Sequence, residues 1–166
     1  MFHAIVRTFL ILIATLCSVT ALAQDTGAEV AEDEQLVQAR ALLQAGRADI
    51  IREDLRMTDE ESEGFWPAYE SYRADIMVVR DRQTRMIADF LKKYRAGELT
   101  NEYAEWLIEE HFAFKNGLLK VQEKHLRQFR KVLPELKVAR FYQLENKMDA
   151  ETDAQLALFV PLVEAL

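Results

Sequence analysis

Cysteine occurs once in the 166 residues, proline three times and glycine five times. The single cysteine, Cys17, lies in the first 23 residues, so a chain that loses that segment has no disulfide, no CxxC redox pair, no thiolate nucleophile and no cysteine zinc site. The glycines stand singly at 27, 46, 64, 97 and 117, and no glycine-rich turn is present to cradle the phosphates of a nucleotide. Ser62 and Ser71 stand in no GxSxG elbow and have no lysine partner at the right spacing. Alternating runs of β-branched residues are missing as well. These absences point to an all-α chain, and to one that is not an enzyme and carries no cofactor.

Residues 1–23 carry the marks of a secretory signal. Arg7 supplies the positive charge, Phe9–Leu16 the apolar run, and Ala21-Leu22-Ala23 a small-x-small cleavage site before Gln24. The apolar stretch is short and interrupted by Thr15, Ser18 and Thr20, which does not suit a permanent membrane span. Cys17 follows the bulky Leu16, a poor fit to a lipidation site. The expectation is a cleaved signal over 1–23, a disordered leader over 24–32 and a single helical domain over 33–166 in the periplasm.

Charge is divided unevenly along the chain. Residues 24–64 hold 4 basic and 12 acidic groups, residues 65–140 hold 15 and 11, and residues 141–166 hold 1 and 5. An acidic protein with a mildly basic middle is not a nucleic-acid binder, which needs a far denser basic surface. A basic patch gathered on one face could steer acidic partners.

Helical periodicity runs almost without interruption from Glu32. A first helix is expected over about 33–55, with Gly46 weakening it. Thr58 followed by Glu61 is a capping box that opens a second helix, with Met57 preceding the cap and Pro67 loosening its early turns. Phe65, Tyr69, Tyr72, Ile76, Val79, Met86 and Phe90 form its apolar seam. Gly97 ends that helix and Thr100 caps the third, whose stripe is Tyr103, Leu107, Phe114, Leu118, Val121 and Phe129. Pro134 opens a fourth helix through about Met148, followed by a turn and a short helix over 154–160. Two helices of more than 30 residues joined by a tight turn predict an elongated antiparallel hairpin with two shorter flanking helices. Such a hairpin cannot cover both of its faces alone, and a cradle-shaped homodimer with a shared core is expected.

His111 and His125 lie fourteen residues apart, about 21 Å along one helix, so one chain cannot bring both to a single ion. Satisfied interface histidines, and no metal site, are the expectation. The carboxylates Asp59, Glu60, Glu61 and Glu63 crowd a helix start, where the helix dipole favours negative charge. Trp106 and Phe112 fall off the apolar stripe of the third helix and are candidates for exposed recognition surface, together with Arg73, Arg80, Lys120, Arg127 and Arg130 on one concave face.

Met57-Thr58-Asp59-Glu60-Glu61 and Leu99-Thr100-Asn101-Glu102-Tyr103 resemble the repeated Leu-Thr-x-x-Gln motif of the Spy/CpxP-like periplasmic proteins, although neither keeps the glutamine. Leu133-Pro134-Glu135-Leu136-Lys137 with Ala139-Arg140-Phe141 is similar to the start of that family's last helix, and the resemblance spans about residues 33–150. It implies a thin, cradle-shaped antiparallel dimer of helical hairpins without catalytic residues. The implied function is that of an ATP-independent holdase for unfolded or misfolded envelope proteins. The alternative is an accessory protein recognising the periplasmic domain of an envelope-stress or metal-responsive sensor kinase. Some relatives bind zinc through additional histidines or cysteines, a cluster this chain does not have.

Overall fold

The computed structural model describes residues 45–163. The expected signal, the leader and the first part of the first helix lie outside them. The described residues form four helices and no strand, an all-α fold. Helix α1 covers 45–55 and runs through Gly46, which does not break it. It ends at Arg56, a non-glycine residue in the left-handed region with φ 44°. The chain divides there into two compact units, and α1 belongs to the first.

The second unit, from Met57 onward, contains α2 (Asp59–Ala96), α3 (Asn101–Val132) and α4 (Glu135–Phe159). At 38 and 32 residues, α2 and α3 run roughly 57 and 48 Å. They form the expected antiparallel hairpin, as cross-helix pairs from Asp75–His125 to Asp89–Tyr103 show. Gly97 makes the turn possible: its φ of 69° is open to glycine at no steric cost. The Glu98 amide bonds back to the Lys93 carbonyl at 3.0 Å and the Gly97 amide to that of Tyr94 at 3.2 Å, a Schellman closure of α2.

Pro67 sits inside α2, which starts at Asp59 as the capping box at Thr58 predicts. Its missing N–H falls two turns into the helix, where the box at Thr58 and packing on both sides of the proline hold the backbone. The turn expected after Met148 does not form, and α4 is one helix of 25 residues. Residues 149–159 hold neither glycine nor proline, and the Thr152 hydroxyl donates to the Met148 carbonyl at 2.9 Å without leaving the helix. Pro161 then follows its end.

The core is an aromatic junction where α2, α3 and α4 meet. Phe65 and Tyr72 from α2, Phe129 from α3 and Phe141 from α4 are fully buried. Phe129 and Phe141 lie 4.5 Å apart between centroids, and each lies 5.4–5.7 Å from the rings of Phe65 and Tyr72. Mostly tilted and edge-on geometry lets ring edges meet ring faces. Backbone approach is tightest where α2 has no side chain. A Cβ on Gly64 would stand 2.7 Å from Cγ1 of Val132, so this glycine sets the spacing between the start of α2 and the end of α3.

The junction lies toward one end of the hairpin. The inward positions Val138, Phe141, Glu145 and Met148 of α4 are buried, and its last ion pairs to the hairpin are those of Asp153 with Arg80 and Lys115. Within this unit only α2 and α3 continue beyond that level to the Gly97 turn, held by Phe90, by Tyr103 on Asp89 and by the Arg82–Glu110 pair. Because Phe129 touches all the other rings of the junction, Phe129→Ala should cost about 3–5 kcal/mol. Urea denaturation followed by circular dichroism measures it, and a cost under about 1 kcal/mol would mean that the junction does not hold the unit together.

Candidate functional site

Charged side chains fix the register of α4 against the hairpin. Glu145 is fully buried, and its Oε2 accepts from Arg73 Nη1 at 3.1 Å. One level along, Arg80 bridges Asp149 at 3.2 Å and Asp153 at 2.7 Å, with its guanidinium 5.4 Å from the Phe114 ring centroid. Neighbouring carboxylates act on the core phenols too: burial first, then Glu145 and Asp149, push the Tyr72 hydroxyl far above its ordinary pKa. Burial and Glu145 likewise raise Tyr142 to about 12, and its hydroxyl donates to the Gln122 carbonyl at 2.9 Å.

Arg73 and Arg80 are therefore not part of an exposed recognition face. Both turn toward α4 and are consumed by its carboxylates, a correction to the surface expected from sequence. Phe112, Lys120, Arg127 and Arg130 are exposed on α3. At 100° per residue they point away from the side that buries Phe114, His125 and Phe129. Trp106 is only partly exposed and rests against Tyr103, with 5.2 Å between ring centroids. The seven residues thus fall on three different surfaces and share no concave face. Periodicity marked α2 as amphipathic but could not say that its arginines would meet acids some seventy residues later.

The two histidines separate in the same way. His125 is fully buried, with Nε2 2.6 Å from Asp75 Oδ2 and Nδ1 3.1 Å from Gln128 Oε1. His111 is exposed on the part of α3 that lies past the last α4 ion pairs. Among the described residues no three His, Cys, Asp or Glu side chains gather around a point that could hold a metal ion. Asp75 also accepts from Lys124 at 2.7 Å. The hydrogen bonds from His125 and then Lys124 hold its carboxyl below the ordinary 3.8. Its stabilising effect is thus full above that value and fades as pH falls through the lowered folded pKa. Asp75→Asn should lower the thermal midpoint near neutrality, and the gap to the parent should narrow as pH drops below about 4. A gap independent of pH would show that the carboxylate charge is not what joins α2 to α3 there.

The motif threonines act as helix caps. Thr58 Oγ1 accepts from the Glu61 amide at 3.2 Å, and the Thr58 amide donates to Glu61 Oε2 at 2.8 Å. The same Glu61 oxygen accepts from Lys137 of α4 at 2.5 Å, and this contact leads the causes that lower the Glu61 pKa. Thr100 Oγ1 accepts from the Tyr103 amide at 3.2 Å, with no reciprocal side chain. Either alanine replacement should cost about 0.5–2 kcal/mol. Thr58→Ala should cost more, because its box also positions the acceptor for Lys137. Equal costs in parallel denaturant titrations would mean that the link to α4 adds nothing.

The most conspicuous exposed apolar surface was not foreseen from sequence. Leu156 and Phe159 lie eleven residues after Glu145 and Met148, three turns on and on the same side of α4. Glu145 and Met148 are buried, yet Leu156 is 37% and Phe159 62% exposed, and Leu158 and Leu162 are 77% and 88% exposed. The inward stripe of α4 outruns the packing that covers it. Residues 148–163 contain no lysine or arginine, while Asp149, Glu151 and Asp153 lie at the base of the patch. The expected signal, a short terminal helix, failed because the apolar residues there were assigned to a separate element.

No family model, curated protein or solved structure matches the chain. No helix among the described residues is long and apolar enough to cross a membrane.

Proposed function

We propose that this is a periplasmic binding protein of the holdase type, not an enzyme, which captures apolar segments of unfolded or partly folded envelope proteins without a cofactor. The observation that carries this reading is the apolar end of α4, where Leu158 and Phe159 are exposed and Leu156 partly so, followed just beyond the helix by exposed Leu162 and Val163. Apolar side chains on a helix end make weak, interchangeable contacts, which suits many clients better than one. The expected apolar-plus-basic surface is thereby replaced by an apolar one, since Asp149 and Asp153 at its base are held by Arg80. The signal-like residues 1–23 and the resemblance to Spy/CpxP-like proteins support the compartment and the class of function.

The test is light scattering from a denatured client diluted into buffer with the chain from Gln24 onward. Several-fold molar excess should suppress aggregation, and the double variant Leu156→Glu/Phe159→Glu should lose most of that effect at unchanged helicity. No suppression by the parent protein defeats the proposal. Selective capture of one sensor-kinase periplasmic domain, without suppression, would favour the signalling alternative.

A further inference from the structure

The longest apolar run among the described residues is the stretch from Leu156 to Val163, which holds no polar side chain and lies between Gln155 and Glu164. It covers the last turn of α4 and the residues that follow. Leu158 comes two residues after Leu156, about 160° around the helix at 100° per residue, so this turn is apolar on opposite sides. Solvent reaches both. Leu158 is 77% and Phe159 62% exposed, while Leu162 and Val163 just past the helix are 88% and 50% exposed.

A protein segment docked on a helix end lies along one side and leaves the opposite side wet. Surroundings that are apolar in every direction cover all of these side chains at once, and the acyl region of a lipid bilayer provides them. Charge narrows the kind of bilayer. Residues 148–163 contain no lysine or arginine, and Asp149 and Asp153 are held by Arg80. Anionic headgroups therefore have nothing to attract here, and entry rests on the transfer of apolar groups alone.

We propose that the end of α4 enters the surface of a lipid bilayer as a shallow apolar wedge. The inference rests on the surface assigned above to client capture, and it makes lipid a second, competing ligand there. A client held on this end is released as the wedge enters the bilayer. The wedge stays in one leaflet: about 20 apolar residues are needed to cross, and no helix among the described residues is long and apolar enough to do so. The helical part, Leu156 to Phe159, rises about 6 Å, within the depth of about 5–10 Å that interfacial helices reach. The last carbonyls of α4 have no partner within the helix and need water or headgroups, which holds the tip near the headgroup–acyl boundary.

Flotation of the chain from Gln24 onward with phosphatidylcholine vesicles tests the wedge directly. The parent protein should float with them, and neither added phosphatidylglycerol nor lowered salt should increase the bound fraction. Leu158→Glu/Leu162→Glu should weaken binding roughly tenfold or more at unchanged helicity, because it places charge in the wedge. Leu136→Glu, at a leucine 87% exposed in the first turn of α4, should bind like the parent. A parent protein that does not float, binding that appears only with phosphatidylglycerol, or a double variant that floats like the parent would each overturn the proposal. Client capture is read by light scattering without lipid, so either reading can fail while the other stands.

Discussion

The contact between Phe129 and Phe141 is the point on which the second unit depends. The two rings join the end of α3 to the start of α4 across the short Leu133-Pro134 connection, and both lie against Phe65 and Tyr72 of α2. Three helices meet there because each contributes large flat side chains at helical spacing, which bury more area per residue than aliphatic groups of the same helix would. Everything else in the unit is arranged by distance from that junction. Near it, side chains are fully buried and even a glycine is needed for helix approach, at Gly64. Farther along, burial becomes partial, and polar fasteners such as Arg82–Glu110 take over.

The ionic contacts do a different job from the rings. Surface pairs such as Arg82–Glu110 contribute little, because water and salt screen them. The buried Arg73–Glu145 pair adds little net stability either, since desolvation offsets its attraction. Its effect is on register: sliding α4 by a turn would leave a carboxylate in the core without its guanidinium. Lys137 on Glu61, Arg73 on Glu145 and Arg80 on Asp149 and Asp153 repeat that constraint at three levels. Aromatic packing without these pairs could accept several registers of α4. The ladder selects one and thereby fixes where the helix outruns its cover.

Much of this was legible in the sequence. The seam of α2 and both threonine caps follow from local spacing and cap chemistry, and the structure has Phe65, Tyr69, Tyr72, Ile76 and Phe90 buried as the period requires. Gly97 and Pro134 mark their boundaries for reasons of backbone geometry that hold in any context. The long-range facts were not legible. Nothing near Arg73 or Arg80 in the sequence shows that Glu145, Asp149 and Asp153 will reach them, so both looked like surface cations. The continuity of α4 was missed because Asp149, Glu151, Thr152 and Asp153 resemble a turn in composition, whereas the helix uses Asp149 and Asp153 to hold Arg80. The fate of Leu156 and Phe159 depends on how far α4 stays packed against its neighbours, which no periodicity records.

The central claim is that stability is concentrated at one end of the unit and declines along it. Amide hydrogen exchange measured residue by residue tests it most directly, because each amide reports the free energy of its own opening. The account predicts the slowest exchange in 65–76 of α2 and 138–148 of α4, with markedly faster exchange in 84–96 and 154–159 of the same helices. Equal protection from one end of α2 and α4 to the other would contradict it.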